Sequence, residues 1–265
     1  MDQKQLGKII KKMRTDRGLT QSQLAMALHV SDKTVSKWEL GNGVPEIGTL
    51  IKISDFFQVS LDDLLRGKSP SIEHTEFLYI MDASGSMYNI TDDVIGGFNQ
   101  FLQEQQTQKD KAYLTSVLFN YDVNTLYESK DIQLVTKLDR LSYKAQGSTA
   151  LYDAIGQSVM NLENRVQTKK VMVTIMTDGY ENASKYFTRS KIKRIIEKKS
   201  SEGWEFIFAG ANIDVDKVGD DLGIKKSQRL KFTSDSAGTR QMYDRMSGIT
   251  SNYRKTGKVD MKDKK

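Results

Sequence analysis

The chain has 265 residues but no cysteine, two histidines (His29 and His74) and two prolines. Without cysteine there is no disulfide, no thiolate metal site and no cysteine nucleophile. A Ser-His-Asp triad or a multi-histidine zinc site has almost nothing to be built from. Two prolines exclude a proline-rich linker. Long apolar runs are missing too. Stretches such as Phe77–Met81 and Val171–Met176 fall far short of the ~20 residues of a membrane span. Residues 1–17 are polar and charged, without the apolar segment of a signal peptide. These absences lead us to expect a soluble, cytoplasmic protein with no membrane partner.

What is present has the balance of a globular chain. Hydrophobic residues make up 38% and charged residues 28%, so the chain is not a disordered polyelectrolyte. Its length allows one large or two modest domains. The net charge of +6 is a mild hint of nucleic acid. It divides evenly: residues 1–70 carry 11 Lys and Arg against 8 Asp and Glu, and the other 195 carry 29 against 26. Any case for DNA must therefore rest on pattern.

The first 70 residues read as short helices. Leu6, Ile9, Ile10 and Met13 keep the i, i+3, i+4, i+7 spacing of an amphipathic helix, which Gly18 ends. Thr20 with Gln23 forms a capping box for a second helix that buries Leu24, Ala25 and Leu28. Ser31 caps a third, with Val35 and Trp38 inward and Gly41 and Gly43 as its stop. Pro45 opens a fourth that carries Ile47, Leu50, Ile51 and Phe57 inward. Ser60 with Asp63 repeats the capping pattern before Leu61, Leu64 and Leu65. The polar, turn-rich stretch 67–75 reads as a linker. We assign 1–68 to a helical domain, 69–75 to the linker, 76–253 to a second domain and 254–265 to a frayed basic tail.

From Glu76 the pattern changes. Continuous apolar runs at Phe77–Met81, Leu114–Phe119, Val171–Met176 and Phe206–Ala209 alternate with helical stretches. Runs buried on both faces are the mark of parallel strands. One helix begins at Thr91, with Asp92 and Asp93 at its positive end and Val94, Phe98, Phe101 and Leu102 inward. Such alternation predicts an α/β fold, a doubly wound, mostly parallel, Rossmann-like sheet. Trp38, Trp204 and Phe206 are expected in the core.

Two helices joined by a tight turn, the second leading with polar residues, suit helix-turn-helix DNA binding. The run Leu19-Thr20-Gln21-Ser22-Gln23-Leu24-Ala25, then Val30-Ser31, Thr34 to Glu39, Gly43 and Pro45, resembles the lambda-repressor-like (XRE-type) family over residues 4–66. The family's recognition helix would be about Ser31 to Leu40. The resemblance implies double-stranded DNA as partner, with Ser31, Lys33, Thr34, Ser36 and Lys37 facing it, beside Asp32. Gln21 matches the position where the family contacts a backbone phosphate. A single copy should bind weakly, and pairing of two copies as a homodimer on a palindromic site would recover specificity. The turn residue before Val30 is glycine in most of the family. Here it is His29, a type that tolerates positive φ.

The second domain offers oxygen. Asp82-Ala-Ser84-Gly-Ser86 follows the first strand, Gly147-Ser148-Thr149 precedes a helix over Ala150–Leu162, and Thr177-Asp178-Gly179 ends a later strand. In a doubly wound sheet these loops meet at the switch point, where ligands bind. Together they resemble the von Willebrand factor A domain and its metal-ion-dependent adhesion site, D-x-S-x-S…T…D, with all five positions present. The resemblance covers Phe77 to about Tyr253. It implies a divalent cation, Mg2+ first with Mn2+ or Ca2+ as alternatives, held by Asp82, Ser84, Ser86, Thr149 and Asp178. It also implies an open position for a carboxylate from a partner protein. Hydroxyls and carboxylates without His or Cys suit such a hard cation.

No nucleophile elbow, phosphate-binding P-loop or dinucleotide fingerprint is present, and Asp82-x-Ser84 lacks the second Asp of an aspartyl-phosphate phosphatase. We therefore expect no enzyme. The expected function is a DNA-binding transcriptional regulator with a Mg2+-dependent protein-interaction domain. The alternative is a metal-dependent scaffold whose helix-turn-helix serves docking or dimerisation. A metal-dependent hydrolase ranks below both.

Overall fold

The structure, a computed structural model, describes residues 2–57, 59, 61–66, 74–166, 168 and 170–261. The chain divides into two compact units, Met1–Glu73 and His74–Lys265. Among the described residues no helix is long and apolar enough to cross a membrane.

The first unit is five helices: α1 (Gln3–Asp16), α2 (Gln21–Leu28), α3 (Asp32–Glu39), α4 (Ile47–Phe57) and α5 (Leu61–Arg66). Thr20 and Gln23 form the expected capping box, and Ser31 accepts from the Thr34 amide to cap α3. His29 takes up the left-handed conformation (φ 56°, ψ 48°) and ends α2. The shared core includes Leu6, Ile10, Leu24, Leu28, Val35, Trp38, Leu50, Ile53 and Leu64. Gly7 allows α1 and α3 to touch, because a Cβ there would stand 2.0 Å from the Trp38 carbonyl oxygen.

The apolar pattern misplaces two side chains. Ile47 and Ile51 on α4 are exposed, whereas Ile53 is buried. The stripe that packs is Leu50, Ile53 and Phe57, three and four residues apart, which turns Ile47 and Ile51 outward. The Ser60–Asp63 cap falls on a residue and a side chain outside those described.

The second unit is a six-stranded sheet of order β3-β2-β1-β4-β5-β6. The strands are β1 (Thr75–Asp82), β2 (Ala112–Phe119), β3 (Val123–Asp131), β4 (Val171–Thr177), β5 (Glu205–Gly210) and β6 (Arg229–Lys231). All neighbours are parallel except β2 and β3, which are antiparallel with register shifts at Leu114–Ser116 and Ser116–Val117. The helices are α6 (Thr91–Gln106), α7 (Leu151–Glu163), α8 (Arg189–Ser201), α9 (Val215–Leu222) and α10 (Ser236–Thr256). β3 and β6 carry no continuous apolar run, so the apolar pattern does not mark them.

Central strand β1 is buried along its whole length and feeds two cores. Phe77, Tyr79 and Met81 join Phe98 and Phe101 of α6 and Met242, Tyr243 and Met246 of α10. Leu78 and Ile80, facing the other way, join Ile155 and Val159 of α7, Ile192 and Ile196 of α8 and Leu222 of α9. This is the sandwich a doubly wound sheet requires, and Trp204 and Phe206 lie in it as expected.

Two boundaries move. The linker does not reach residue 75: His74 is buried against Tyr113 and Thr75 opens β1 paired with Ala112. Its remainder, 69–73, lies outside the described residues. The tail was drawn from 254, yet α10 runs on to Thr256 and the Arg254 side chain is fully enclosed. Arg254 donates from Nε to Asp110 Oδ2 at 2.6 Å and from Nη1 to the Gln105 carbonyl at 2.7 Å. Such a cation reads as solvated until the groups that enclose it are seen.

Candidate metal centre and nucleic-acid interface

In the first unit α3 offers its outer face. Ser31, Asp32, Lys33 and Lys37 are exposed, and Thr34 and Ser36 are half-buried. The Ser31 and Thr34 hydroxyls lie 2.8 Å apart at the helix start. Helix N-termini with unsatisfied amides favour anions. Behind this face is a group the sequence reading missed. Glu39 is buried, with Arg14 donating to both its oxygens, Nε to Oε1 at 2.6 Å and Nη2 to Oε2 at 3.0 Å. Burial pushes the Glu39 carboxyl up, but the hydrogen bonds from Arg14 and Gln21 and the Arg14 charge outweigh this and hold it below its ordinary value. The Gln21 amide donates to Glu39 Oε2 at 2.8 Å. Gln21 therefore sits beside the outer face of α3 with its side chain braced against that helix. The partner of Glu39 lies 25 residues away, and no local pattern marks it.

In the second unit β1 and β4 are neighbours, so their carboxyl ends lie side by side. The chain leaves them in different directions, β1 through a 3-10 turn (Gly85–Ile90) into α6 and β4 into a long loop before α8. This is the switch-point crevice. Asp82, Ser84, Thr149 and Asp178 are buried and Ser86 is exposed. The structure brings all five together. Ser84 Oγ and Ser86 Oγ are 3.1 Å apart, and Ser86 Oγ donates to Asp178 Oδ1. A Cβ at Gly179 would lie 3.2 Å from Thr149 Oγ1 and 3.6 Å from Ser86 Oγ, so both hydroxyls face one spot that glycine leaves open.

Each donor is held from behind. Asp82 Oδ1 accepts the Ser84 amide at 2.7 Å, and Oδ2 accepts Thr177 Oγ1 at 2.5 Å. Burial pushes the Asp82 carboxyl up to about 6. The Thr177 and Ser84 hydrogen bonds pull the other way, and the Asp178 charge adds to the rise. Tyr143 donates to the Asp82 carbonyl at 2.5 Å, and burial and then the two carboxylates hold its phenol well above its ordinary value. Asn182 Oδ1 accepts the Thr149 amide at 2.8 Å, and the Asn182 amide donates to the Thr149 carbonyl at 3.0 Å. Asp153 accepts the amides of Lys185, Tyr186 and Phe187 and so pins the loop after Asp178. Ser234 Oγ donates to Asp178 Oδ2 at 3.3 Å. Tyr143, Asn182, Asp153 and Ser234 escaped the sequence reading, since each acts across tens of residues. Only Asn182, close behind Thr177-Asp-Gly, had a local signal.

The donor set fits a hard divalent cation. Among the described residues no cluster of three or more His, Asp or Glu could hold a metal. The site relies on three hydroxyls and two carboxylates. An octahedron with ~2.1 Å bonds has edges of about 3.0 Å, which the Ser84–Ser86 oxygen separation matches.

Comparison with known proteins agrees with both halves. The von Willebrand factor type A domain profile matches residues 78–245 and the helix-turn-helix profile matches residues 10–64. The chain belongs to the von Willebrand factor type A domain family, with an N-terminal domain of the HTH-type transcriptional regulators. Over 59 residues it is 48% identical to the HTH-type transcriptional activator BcrR of Enterococcus faecalis, covering 22% of this chain and 29% of BcrR. Over 108 residues it is 31% identical to the SPbeta prophage-derived uncharacterized HTH-type transcriptional regulator YonR of Bacillus subtilis, covering 41% of this chain and 91% of YonR. The pilus adhesin SpaC of Lactobacillus rhamnosus GG shares the fold of the second unit (TM-score 0.53, 13% identity, 66% of this chain and 29% of SpaC).

Proposed function

We propose that the protein is a cytoplasmic DNA-binding transcriptional regulator. In this reading its A domain holds Mg2+ and, through it, an acidic side chain of a partner protein. The observation that carries the reading is the convergence of Asp82, Ser84, Ser86, Thr149 and Asp178 in one crevice of a chain that also presents a capped recognition helix. Relatives that are transcriptional regulators support the DNA half. Ser84, Ser86 and Thr149 would ligate directly, and Asp82 and Asp178 directly or through water. When bound, the cation supplies an electrophilic centre that an incoming carboxylate completes, because the hydroxyl ligands leave much of its charge unneutralised. The exposure of Ser86 puts the open side of the site toward solvent. The chain's own residues orient and desolvate this centre, and we assign it no catalytic step. Two copies on a palindromic site would give the helix-turn-helix its specificity.

Genome-wide occupancy of the tagged protein, wild type against Asp178→Ala, tests both halves. Discrete occupied sites are expected, along with a pull-down partner that EDTA and Asp178→Ala release. Occupancy no different from an untagged control would overturn the DNA half. A metal-indifferent partner would overturn the other.

A further inference from the structure

Within the second unit the positive charge gathers on one segment. Residues 185–204 carry seven Lys and Arg against two Glu, a local net of +5. Most of these cations lie on α8, which turns Ile192 and Ile196 inward and Lys191, Lys193 and Arg194 to solvent. The surrounding charges separate into two groups. Arg189 is paired with Asp221, and Lys198 and Lys199 with Glu163 and Glu202. Lys191, Lys193 and Arg194 have no carboxylate within 4.0 Å among the described residues; Lys191 instead lies 4.2 Å over the Phe187 ring. The end of α9 extends the patch. A Cβ at Gly223 would stand 3.2 Å from Lys193 Cγ, and exposed Lys225 and Lys226 follow directly. Glu197 is the one acid on the outer face of α8.

Five exposed cations with no carboxylate within 4.0 Å among the described residues, beside a helix whose other cations are all ion-paired, form a surface complementary to a polyanion. We propose that this face of the A domain is a second, sequence-independent contact for the phosphate backbone of duplex DNA. The choice of DNA over another polyanion rests on the helix-turn-helix reading above. From Lys191 to Arg194 and on to Lys225 and Lys226 the donors are lysine and arginine with no planar base-reading pair arranged among them. Such a surface positions and does not specify. Its contribution appears as salt dependence, because each phosphate neutralised adds ~0.9 to the slope of log affinity against log salt.

The experiment titrates the full chain with a 30-base-pair random-sequence duplex over a range of NaCl concentrations. It compares wild type, a Lys191→Glu, Lys193→Glu, Arg194→Glu variant, a Lys225→Glu, Lys226→Glu variant and Lys37→Glu. The α8 variant is expected to lose ~2–3 from the salt slope and roughly 100-fold in affinity near 0.1 M salt. The Lys225, Lys226 variant, whose two side chains are exposed at the start of a 3-10 turn, loses ~1–2 from the slope. Melting curves equal to wild type establish that the variants fold. Lys37→Glu separates the two readings: it abolishes preference for genomic sites while the α8 contribution persists on random duplex. Slopes and affinities unchanged in both patch variants would overturn the proposal, whatever Lys37→Glu does. Unchanged duplex binding with lost binding to phosphatidylserine vesicles would overturn it in favour of a membrane surface.

Discussion

Thr177 Oγ1 donates to Asp82 Oδ2 at 2.5 Å across the seam between β4 and β1, and so a residue outside the five donors orients the most buried of them. The same hydroxyl accepts the Gly179 amide at 3.1 Å, which ties the turn that carries Asp178 to the same point. Thr177→Val keeps the shape and removes the hydrogen bond. We expect it to cost about 1–3 kcal/mol of stability and to weaken Mg2+ binding, measured by calorimetric titration. Unchanged Mg2+ affinity would show that Asp82 needs no such support.

Cation binding should stabilise the second unit. With a dissociation constant near 0.1 mM and ~1 mM free Mg2+, linkage adds ~1.4 kcal/mol. For a domain of this size that raises Tm by ~3–6 °C over the same protein in EDTA. Asp178→Ala and Ser86→Ala should each abolish the shift. Identical melting curves in EDTA and Mg2+ would count against an occupied site.

That shift should depend on pH in a set direction. Asp82 has its folded pKa raised from 3.8 to about 6, so the metal-free fold holds this proton more tightly than the unfolded chain does. Its protonation contributes stability that is present below about 3.8 and lost as pH rises through about 6. A cation needs the carboxylate and displaces the proton. The Mg2+-dependent rise in Tm is therefore expected to be small at pH 5 and full by pH 7. A shift of the same size at both pH values would rule out Asp82 as a ligand.

Glu39→Ala should unfold the first unit at a lower temperature. Removing one partner of a buried pair leaves the Arg14 cation uncompensated, at a cost of about 3 kcal/mol. For a unit this small that lowers its Tm by roughly 10 °C or more. The folded Glu39 carboxyl lies below its ordinary 4.5, so the pair's contribution is present above that pH and is lost as pH falls through the depressed value. Differential scanning calorimetry would resolve the change.

Truncation after Tyr253 is expected to destabilise the second unit by about 1–3 kcal/mol, since it removes the enclosed Arg254 side chain and leaves the buried Gln105 carbonyl without that donor. Truncation after Thr256 should be far milder. Chemical denaturation midpoints of the two forms decide between an anchor and a loose end.

The two domain types, and the loops that bring Asp82, Ser84, Ser86, Thr149 and Asp178 to one crevice, were legible because each rests on short-range order. A capping box, a glycine stop and D-x-S-x-S all fit within a few residues. Strand β1 was legible because burial on both faces leaves a continuous apolar run. What escaped has a common cause. Arg14 reaches Glu39 across 25 residues, Tyr143 reaches the Asp82 carbonyl across 61, and Arg254 reaches Asp110 across 144. Such partners are set by how elements pack and leave no spacing in the chain. Ile47 and Ile51 misled for the opposite reason, since apolar identity was taken for inward direction when the packed stripe lay at Leu50, Ile53 and Phe57.

The edges of the sheet bear on how copies of this protein can meet. β6 is only three residues long and carries Arg229 and Lys231, and β3 has two register shifts against β2. Short, charged and irregular edges are poor templates for a strand from another molecule. Self-association built on this domain would run through side chains, with backbone pairing between molecules disfavoured, and crowding on DNA should leave it resistant to fibrous aggregation.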